Sequence, residues 1–282
     1  MSHPKKCVTC GAPVAGKFCP QCGEKRIEPH DLTLRHFSAH AIEAFTHADG
    51  KIFRTLRSLV FRPGELTADY LAGRRRPYIG PLQLFLICNV LYFLLLPFIH
   101  WDSLSSTLST NMELSFFREL ATAMVREKLA ASGMALETYR IVFDHAAVLH
   151  GKSLVILLVP LYMLPLALLY DRRDRPLLTH LVFALHFCAF FLLALMTSLE
   201  LMNLAIALVT AAHHHLNYQA RDLGSALPLL VLSVYYLQRG ARRAYAATGW
   251  TTVIRTAVLV GLLVPILTAY RFVLFLITFW AT

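Results

Sequence analysis

The sequence has few charged residues for its length, and this scarcity excludes an ordinary soluble domain. Only 16% of its 282 residues are charged, whereas 56% are hydrophobic. Soluble domains average about 25% charged and about 45–50% apolar residues. The deficit is concentrated in long stretches without charge, which are typical of segments that cross a lipid bilayer. Residues 1–80, by contrast, are polar and basic.

The sequence also has no recognisable catalytic motif. It contains no Ser/His/Asp grouping, no phosphate-binding loop and no zinc-protease motif. We therefore expect a protein that is not an enzyme. Its N-terminal segment, MSHPKKC, lacks the apolar region that a cleavable signal peptide requires, so we expect the N-terminus to stay in the cytoplasm.

The net charge of +10 is distributed in a way that argues against a nucleic-acid-binding surface. Positive charge is concentrated in residues 1–80, 171–176 and 238–249, whereas residues 100–152 and 212–222 carry no such excess. Basic segments that alternate with neutral ones follow the positive-inside rule. The pattern predicts a multi-pass protein of the bacterial inner membrane, with a cytoplasmic N-terminus and a periplasmic C-terminus.

The apolar stretches predict an all-α, polytopic membrane protein with about five transmembrane helices. The predicted spans are residues 81–99, 153–170, 177–199, 223–237 and 250–280. The fourth span is short, but the basic segment that follows it is cytoplasmic only if that span crosses. Residues 81–282 together form the predicted transmembrane bundle. We expect its periplasmic segment, residues 100–152, to contain one or two amphipathic helices.

Four of the six cysteines form a metal-binding pattern near the N-terminus. Cys7, Cys10, Cys19 and Cys22 make two C-x2-C pairs, which supply four thiolates to one tetrahedral ion. Disulfides would be reduced in the cytoplasm, and a thioredoxin-like redox pair lacks its strand–helix context here. A rubredoxin-like iron site stays open as an alternative. We expect a structural Zn²⁺ ribbon over residues 1–27 that folds with its metal.

Residues 28–80 link the ribbon to the first span and are expected to form cytoplasmic juxtamembrane helices. Apolar and basic residues alternate with helical spacing from residue 31 to residue 72, and Pro63-Gly64 interrupts the pattern. Such helices either contact anionic lipid in the interface or pack against the ends of the spans. Three arginines then precede the first span, namely Arg74, Arg75 and Arg76. Their positive charge either orients that span in the membrane or binds lipid head groups.

Polar residues within the predicted spans form a candidate intramembrane site, because such residues are costly in lipid. The set comprises His180, His186, Glu200, Asn203 and Arg271. The two histidines point about 120° apart on a helix and cannot form a metal site alone. His186, Glu200 and Asn203 share a face, and Arg271 is a candidate partner of Glu200. The alternative is structural, with polar contacts that hold the bundle together.

The chain resembles an uncharacterised bacterial family of membrane proteins with a zinc-ribbon head, known as a domain of unknown function. The resemblance lies in three segments, which are CVTCGAPVAGKFCPQCGEK, LRSLVFRPGELTADYLAGRRRPYIGP and THLVFALHFCAFFLLAL. It implies an architecture of ribbon, interfacial helices and several spans. It implies no activity, substrate or catalytic residue.

These observations predict an integral membrane scaffold or regulator. Its cytoplasmic zinc ribbon and interfacial helices would bind a protein partner or anionic membrane lipid. The alternative function is a lipid or small-solute transporter that uses the intramembrane polar site, and a membrane-embedded enzyme is the third.

Overall fold

A computed structural model shows that the chain is mostly helical. The structure describes residues 5–26, 33, 50–99, 104, 106–171, 175–210 and 218–282. Within these ranges, the side chains at 97–99, 202–203, 205–210 and 218–225 are outside the description. The first part of the amphipathic pattern predicted from residue 31, residues 34–49, also lies outside the described residues.

Residues 5–26 form a small module around the cysteine pairs. Strands β1 (Lys5–Lys6) and β2 (Pro13–Val14) pair in antiparallel fashion. Gly11 and Gly23, each directly after the second cysteine of a pair, have φ angles of 78° and 69°. Glycine adopts this left-handed conformation without the steric cost that other residues incur. The turns that follow the two cysteine pairs therefore depend on glycine.

Two short helices flank the predicted break in the juxtamembrane segment. They are α1 (Lys51–Phe61) and α2 (Glu65–Ala72). The chain breaks at Pro63-Gly64 as predicted, and Gly64 precedes α2 with a φ angle of 82°. Leu59 on α1 is only 1% exposed. The amphipathic pattern of α1 thus corresponds to one packed face and one exposed face.

The rest of the described chain consists of further helices and their connections. These are α3 (Pro81–Ile99), α4 (Leu108–Glu113), α5 (Arg118–Ser132), α6 (Leu136–Leu154), α7 (Leu158–Tyr170), α8 (Leu177–Thr210), α9 (Tyr218–Ala244), α10 (Trp250–Gly261) and α11 (Leu263–Ala281). A single 3-10 turn, Val155–Leu157, connects α6 to α7.

Three helical stretches among the described residues are long and apolar enough to cross a membrane. They are Leu136–Tyr170, Leu177–Leu201 and Trp250–Ala281, and Pro81–Leu96 is a shorter apolar helix. These helices are consistent with the predicted membrane protein. The count of five spans stays a prediction, because the fourth predicted span lies in α9, where several side chains are outside the description.

The first of two compact units comprises residues 1–92 and 163–260, and α8 forms its core. Most side chains of α8 from Leu178 to Leu195 are buried. Helices α1, α2 and α9 pack against α8, and α2 also packs against α9. A Cβ atom added to Gly64 would lie 2.6 Å from the carbonyl oxygen of Gly240 on α9. The absence of a side chain at Gly64 is therefore what permits the two backbones to approach so closely.

The second unit comprises residues 93–162 and 261–282. The segment 100–152, predicted to contain one or two amphipathic helices, holds α4, α5 and most of α6. Helix α6 packs against α11 through an aromatic core, in which the rings of Phe143 and Phe275 lie 5.8 Å apart. The described part of this segment is therefore packed and helical, and not an irregular loop.

Gly64→Ala should destabilise the protein more than Gly50→Ala. Gly50 and Gly64 have positive φ angles of 72° and 82°, where another residue costs about 1 kcal/mol. Only at position 64 would the added Cβ also clash with a backbone, since nothing lies within 4 Å of one at position 50. We expect losses of about 1 kcal/mol for Gly50→Ala and about 3 kcal/mol for Gly64→Ala, measured by thermal unfolding in detergent micelles. Equal losses would contradict the close approach to α9.

Candidate metal centre

The four cysteines of the ribbon converge at one point. Their sulfur atoms all lie within 4.8 Å of one another. Cys7 Sγ lies 3.6 Å from Cys22 Sγ, and Cys10 Sγ lies 3.5 Å from Cys19 Sγ. A tetrahedron with metal–sulfur bonds of 2.3 Å has edges of about 3.8 Å. The four cysteines therefore have the spacing of a metal site and could hold one ion.

Backbone N–H groups point at the sulfur atoms and stabilise thiolates. The N–H of Cys10 is the main cause of a lowered pKa at Cys7, and the N–H of Cys22 lowers the pKa of Cys19 to about 6. At Cys22 a backbone N–H lowers the pKa, but partial burial and the neighbouring sulfur atoms raise it to about 12. Four thiolates together therefore require a cation, which a metal ion would supply.

A buried carboxylate, Glu24, fixes the ribbon to the helical part of the first unit. Glu24 is only 6% exposed. Its Oε2 accepts hydrogen bonds from Thr9 Oγ1 at 2.7 Å and from the backbone N–H of Arg76 at 2.9 Å. Thr9 lies inside the first cysteine pair, and Arg76 lies shortly before α3. An ionised acceptor makes such bonds about twice as strong as neutral ones.

Arg74 adds a second attachment between the ribbon and α2. Its Nε donates to the carbonyl oxygen of Val8 at 3.2 Å, and its Nη1 lies 3.0 Å from Asp69 Oδ1. Burial raises the pKa of Asp69, and the Arg74 guanidinium partly opposes that rise. We call the contacts of Glu24 and Arg74 the ribbon clasp.

Arg75 and the Arg76 side chain also contact protein groups. The guanidinium of Arg75 lies 4.2 Å above the ring of Tyr70, and its Nε donates to the Tyr70 carbonyl oxygen at 3.3 Å. A Cβ added to Gly23 would lie 2.9 Å from Arg76 Nη1, so this arginine covers the second turn of the ribbon. Lipid binding by the three arginines stays a prediction, and the structure shows that Arg74 and Arg76 also contact the ribbon.

The sequence analysis assigned no role to Glu24, although its charge sets it apart from its neighbours. It is the only acidic residue among residues 1–27, which otherwise carry basic charge. An isolated acid in a basic module suggests a paired carboxylate. No pattern in the sequence indicated its partner, the N–H of Arg76, which is 52 residues away.

The two histidines predicted for the intramembrane site have separate partners. His180 Nδ1 lies 3.2 Å from the Tyr245 hydroxyl, whose ring it also stacks against. His186 Nδ1 lies 2.8 Å from Thr67 Oγ1 on α2. Both histidines are buried and connect α8 to neighbouring parts of the first unit. These contacts are of the kind that the structural alternative predicts.

Glu200, Asn203 and Arg271 are the other members of the predicted intramembrane site. Glu200 is exposed on α8, about 21 Å further along the helix axis than His186. The side chain of Asn203 lies outside the described part, and Arg271 belongs to α11 in the second unit. The intramembrane polar site therefore stays a prediction.

These features define a class of protein, namely a mostly helical chain with candidate membrane spans and a four-cysteine head that could hold a metal. Residues 49–93 match the model of a family described as "Protein of unknown function (DUF3667)". The matched region includes α1, α2, Arg74, Arg76 and the start of α3. The ribbon lies outside it. The match agrees with the predicted resemblance to an uncharacterised family. Searches of curated proteins and of solved structures found no match.

The purified protein should carry about one metal ion per chain, and Cys19→Ser should remove it. Three remaining thiolates leave one corner of the tetrahedron without its ligand. Elemental mass spectrometry of detergent-purified protein measures the metal content. Cys188→Ser, which changes a buried cysteine of α8, is the matched control and should keep the ion. Full metal content in Cys19→Ser would contradict the four-cysteine site.

Glu24→Ala should open the ribbon clasp without removing the metal. The backbone N–H of Arg76 would lose its ionised acceptor, so its hydrogen–deuterium exchange should accelerate by roughly tenfold or more. Metal content should stay unchanged, because Glu24 is not among the clustered cysteine ligands. Gln21→Ala, at an exposed position of the ribbon, is the control. Unaltered exchange at Arg76 would show that Glu24 does not hold the ribbon.

Proposed function

We propose that the protein is a membrane-anchored scaffold or regulator without catalytic activity, whose metal-stabilised head docks a protein partner. The observation that supports this function best is the ribbon clasp. Glu24 and Arg74 fix the head against the helices, so that its outer surface is presented in one orientation. A binding surface that is already ordered loses less conformational entropy when a partner docks.

We propose that the bound ion is Zn²⁺ in a structural role. Zinc accepts four thiolates in tetrahedral geometry, and the sulfur separations of the four cysteines fit that geometry. With all four positions supplied by the protein, no position is open for a substrate or an activated water. A closed site supports a head that binds and does not catalyse.

The docking surface that we propose is the groove between the ribbon and the C-terminal end of α2. Its volume is about 660 Å³, including its open mouth. Lys6, Lys25 and Arg26 surround apolar Val8 in its lining, and the one acid of the lining, Glu24, is engaged in the ribbon clasp. This charge distribution is complementary to an acidic segment of a partner protein that also carries apolar side chains.

The proposed setting is the cytoplasmic face of the bacterial inner membrane, with the C-terminus in the periplasm. The basic segments beside the apolar helices support this orientation through the positive-inside rule. A reducing compartment also keeps the four thiols available for metal.

Lys6→Glu combined with Arg26→Glu should release the partner that co-purifies with the intact protein. Both side chains are exposed, so charge reversal repels an acidic segment without disturbing the ribbon core. Quantitative mass spectrometry of proteins bound to the tagged full chain from native membranes should show about a tenfold loss or more of one specific partner. A synthetic peptide from that partner's acidic segment should compete for the intact groove.

Lys17→Glu is the matched control, because Lys17 is exposed on the ribbon but does not line the groove. It should retain the partner. Unchanged metal content and unfolding temperature would show that the double variant is folded. Identical bound proteins for all three chains would contradict the proposed docking groove.

A further inference from the structure

Helix α1 presents an exposed face on which arginine and phenylalanine alternate. Phe53 and Phe61 are 77% and 69% exposed, and Arg54 and Arg57 are exposed beside them. With 3.6 residues per turn, positions 53, 57 and 61 follow one another along a single side of the helix. Large apolar side chains beside guanidinium groups are typical of helices that lie at a membrane surface.

A groove runs along this face of α1. Arg54, Arg57, Phe61 and Tyr78 contribute to its lining, and its volume is about 1020 Å³ including its open mouth. Arg62 also lines it and is paired with Glu65 at 3.1 Å. Arg54 and Arg57, by contrast, have no ion pair or hydrogen bond from their side chains within the described part of the chain. Their positive charge is available to a ligand.

The packed face of α1 keeps the groove in shape. Thr55 is fully buried on that face, and its Oγ1 accepts a hydrogen bond from the backbone N–H of Ile79 at 3.1 Å. This bond holds Tyr78, the neighbour of Ile79, in the groove wall. The Tyr78 hydroxyl interacts in turn with Ser58 and Asp69, and burial is the main cause of its raised pKa. The groove thus presents two guanidinium groups that have no side-chain partner among the described residues.

The groove also lies close to the start of an apolar helix. Pro81 begins α3, whose residues Pro81–Leu96 are apolar, and Tyr78 precedes it by three residues. Three residues span at most about 10 Å, which is comparable to the thickness of one head-group layer. If α3 enters the bilayer, the groove lies at the depth of the phospholipid phosphates.

We propose that this groove binds the phosphate of an anionic phospholipid from the membrane that anchors the chain. Arg54 and Arg57 pair with the phosphate, and Phe53 and Phe61 contact the interface beside it. The proposal rests on the membrane anchorage in the proposed function but not on its docking head. It assigns lipid binding to α1, apart from Arg74, Arg75 and Arg76.

The full-length protein in detergent micelles should bind dioctanoyl phosphatidylglycerol more tightly than dioctanoyl phosphatidylcholine. Native mass spectrometry across a titration of each lipid measures the bound fraction. Arg54→Ala combined with Arg57→Ala should weaken binding of phosphatidylglycerol by about tenfold or more, since two guanidinium–phosphate contacts are lost. Binding of phosphatidylcholine should change little.

Arg118→Ala combined with Arg126→Ala is the matched control. It removes the same charge from exposed positions of α5 and should leave lipid affinity unchanged. Metal content and unfolding temperature report whether each variant is folded. The head variant Lys6→Glu/Arg26→Glu should also keep its lipid affinity, so that failure of the docking groove and failure of the lipid site are distinguishable.

Three results would overturn the lipid site. The first is an unchanged affinity for phosphatidylglycerol in Arg54→Ala/Arg57→Ala. The second is displacement of the lipid by inorganic phosphate at an equal concentration and ionic strength, which would indicate a site for soluble anions. The third is displacement by a polyglutamate peptide at a lower concentration than the lipid itself, which would indicate a protein-binding surface.

Discussion

The desolvation of Glu24 is the constraint on which the position of the ribbon depends. A carboxylate removed from water is costly unless hydrogen-bond donors replace the lost hydration. One donor, Thr9, is positioned by the first cysteine pair, and the other, the N–H of Arg76, is positioned by the segment between α2 and α3. Both donors are in place only when the ribbon is folded and docked. A metal ion bound by the four cysteines would order both pairs, so its binding would be coupled to docking of the head.

The same constraint divides the arginines near the first apolar helix into two groups. The side chains of Arg74 and Arg75 donate to carbonyl oxygens and a carboxylate of the protein. The backbone N–H of Arg76 donates a hydrogen bond to Glu24. Their charge is therefore partly used within the fold. Arg54 and Arg57 on α1 have no such partners among the described residues. In sequence the two groups look alike, as basic residues beside an apolar segment, and only the packing distinguishes them.

The parts of the fold that depend on local sequence were predictable. The spacing of Cys7, Cys10, Cys19 and Cys22 predicts that the four sulfur atoms converge, and they do. Pro63-Gly64 ends α1 for reasons of backbone geometry. The ribbon clasp and the Thr67–His186 contact were not predictable, since their partners are 52 and 119 residues apart. Periodicity indicates which face of a helix is buried but not which side chain lies opposite it.

Hydropathy has a related limit, because an apolar stretch indicates that a helix can cross a membrane but not what its polar residues contact. His186 illustrates this point. On α8 it resembles a member of an intramembrane site, yet its ring is held by Thr67 of α2. Helix α2 is thereby attached to α8 through this contact and to the ribbon through Asp69 and Arg74. Reorientation of the head relative to α8 would break at least one hydrogen bond with a buried group, at a cost of about 1–3 kcal/mol. The head is therefore held in one orientation relative to α8. A fixed orientation is what a scaffold requires, whereas a head on a flexible linker would be free to reorient.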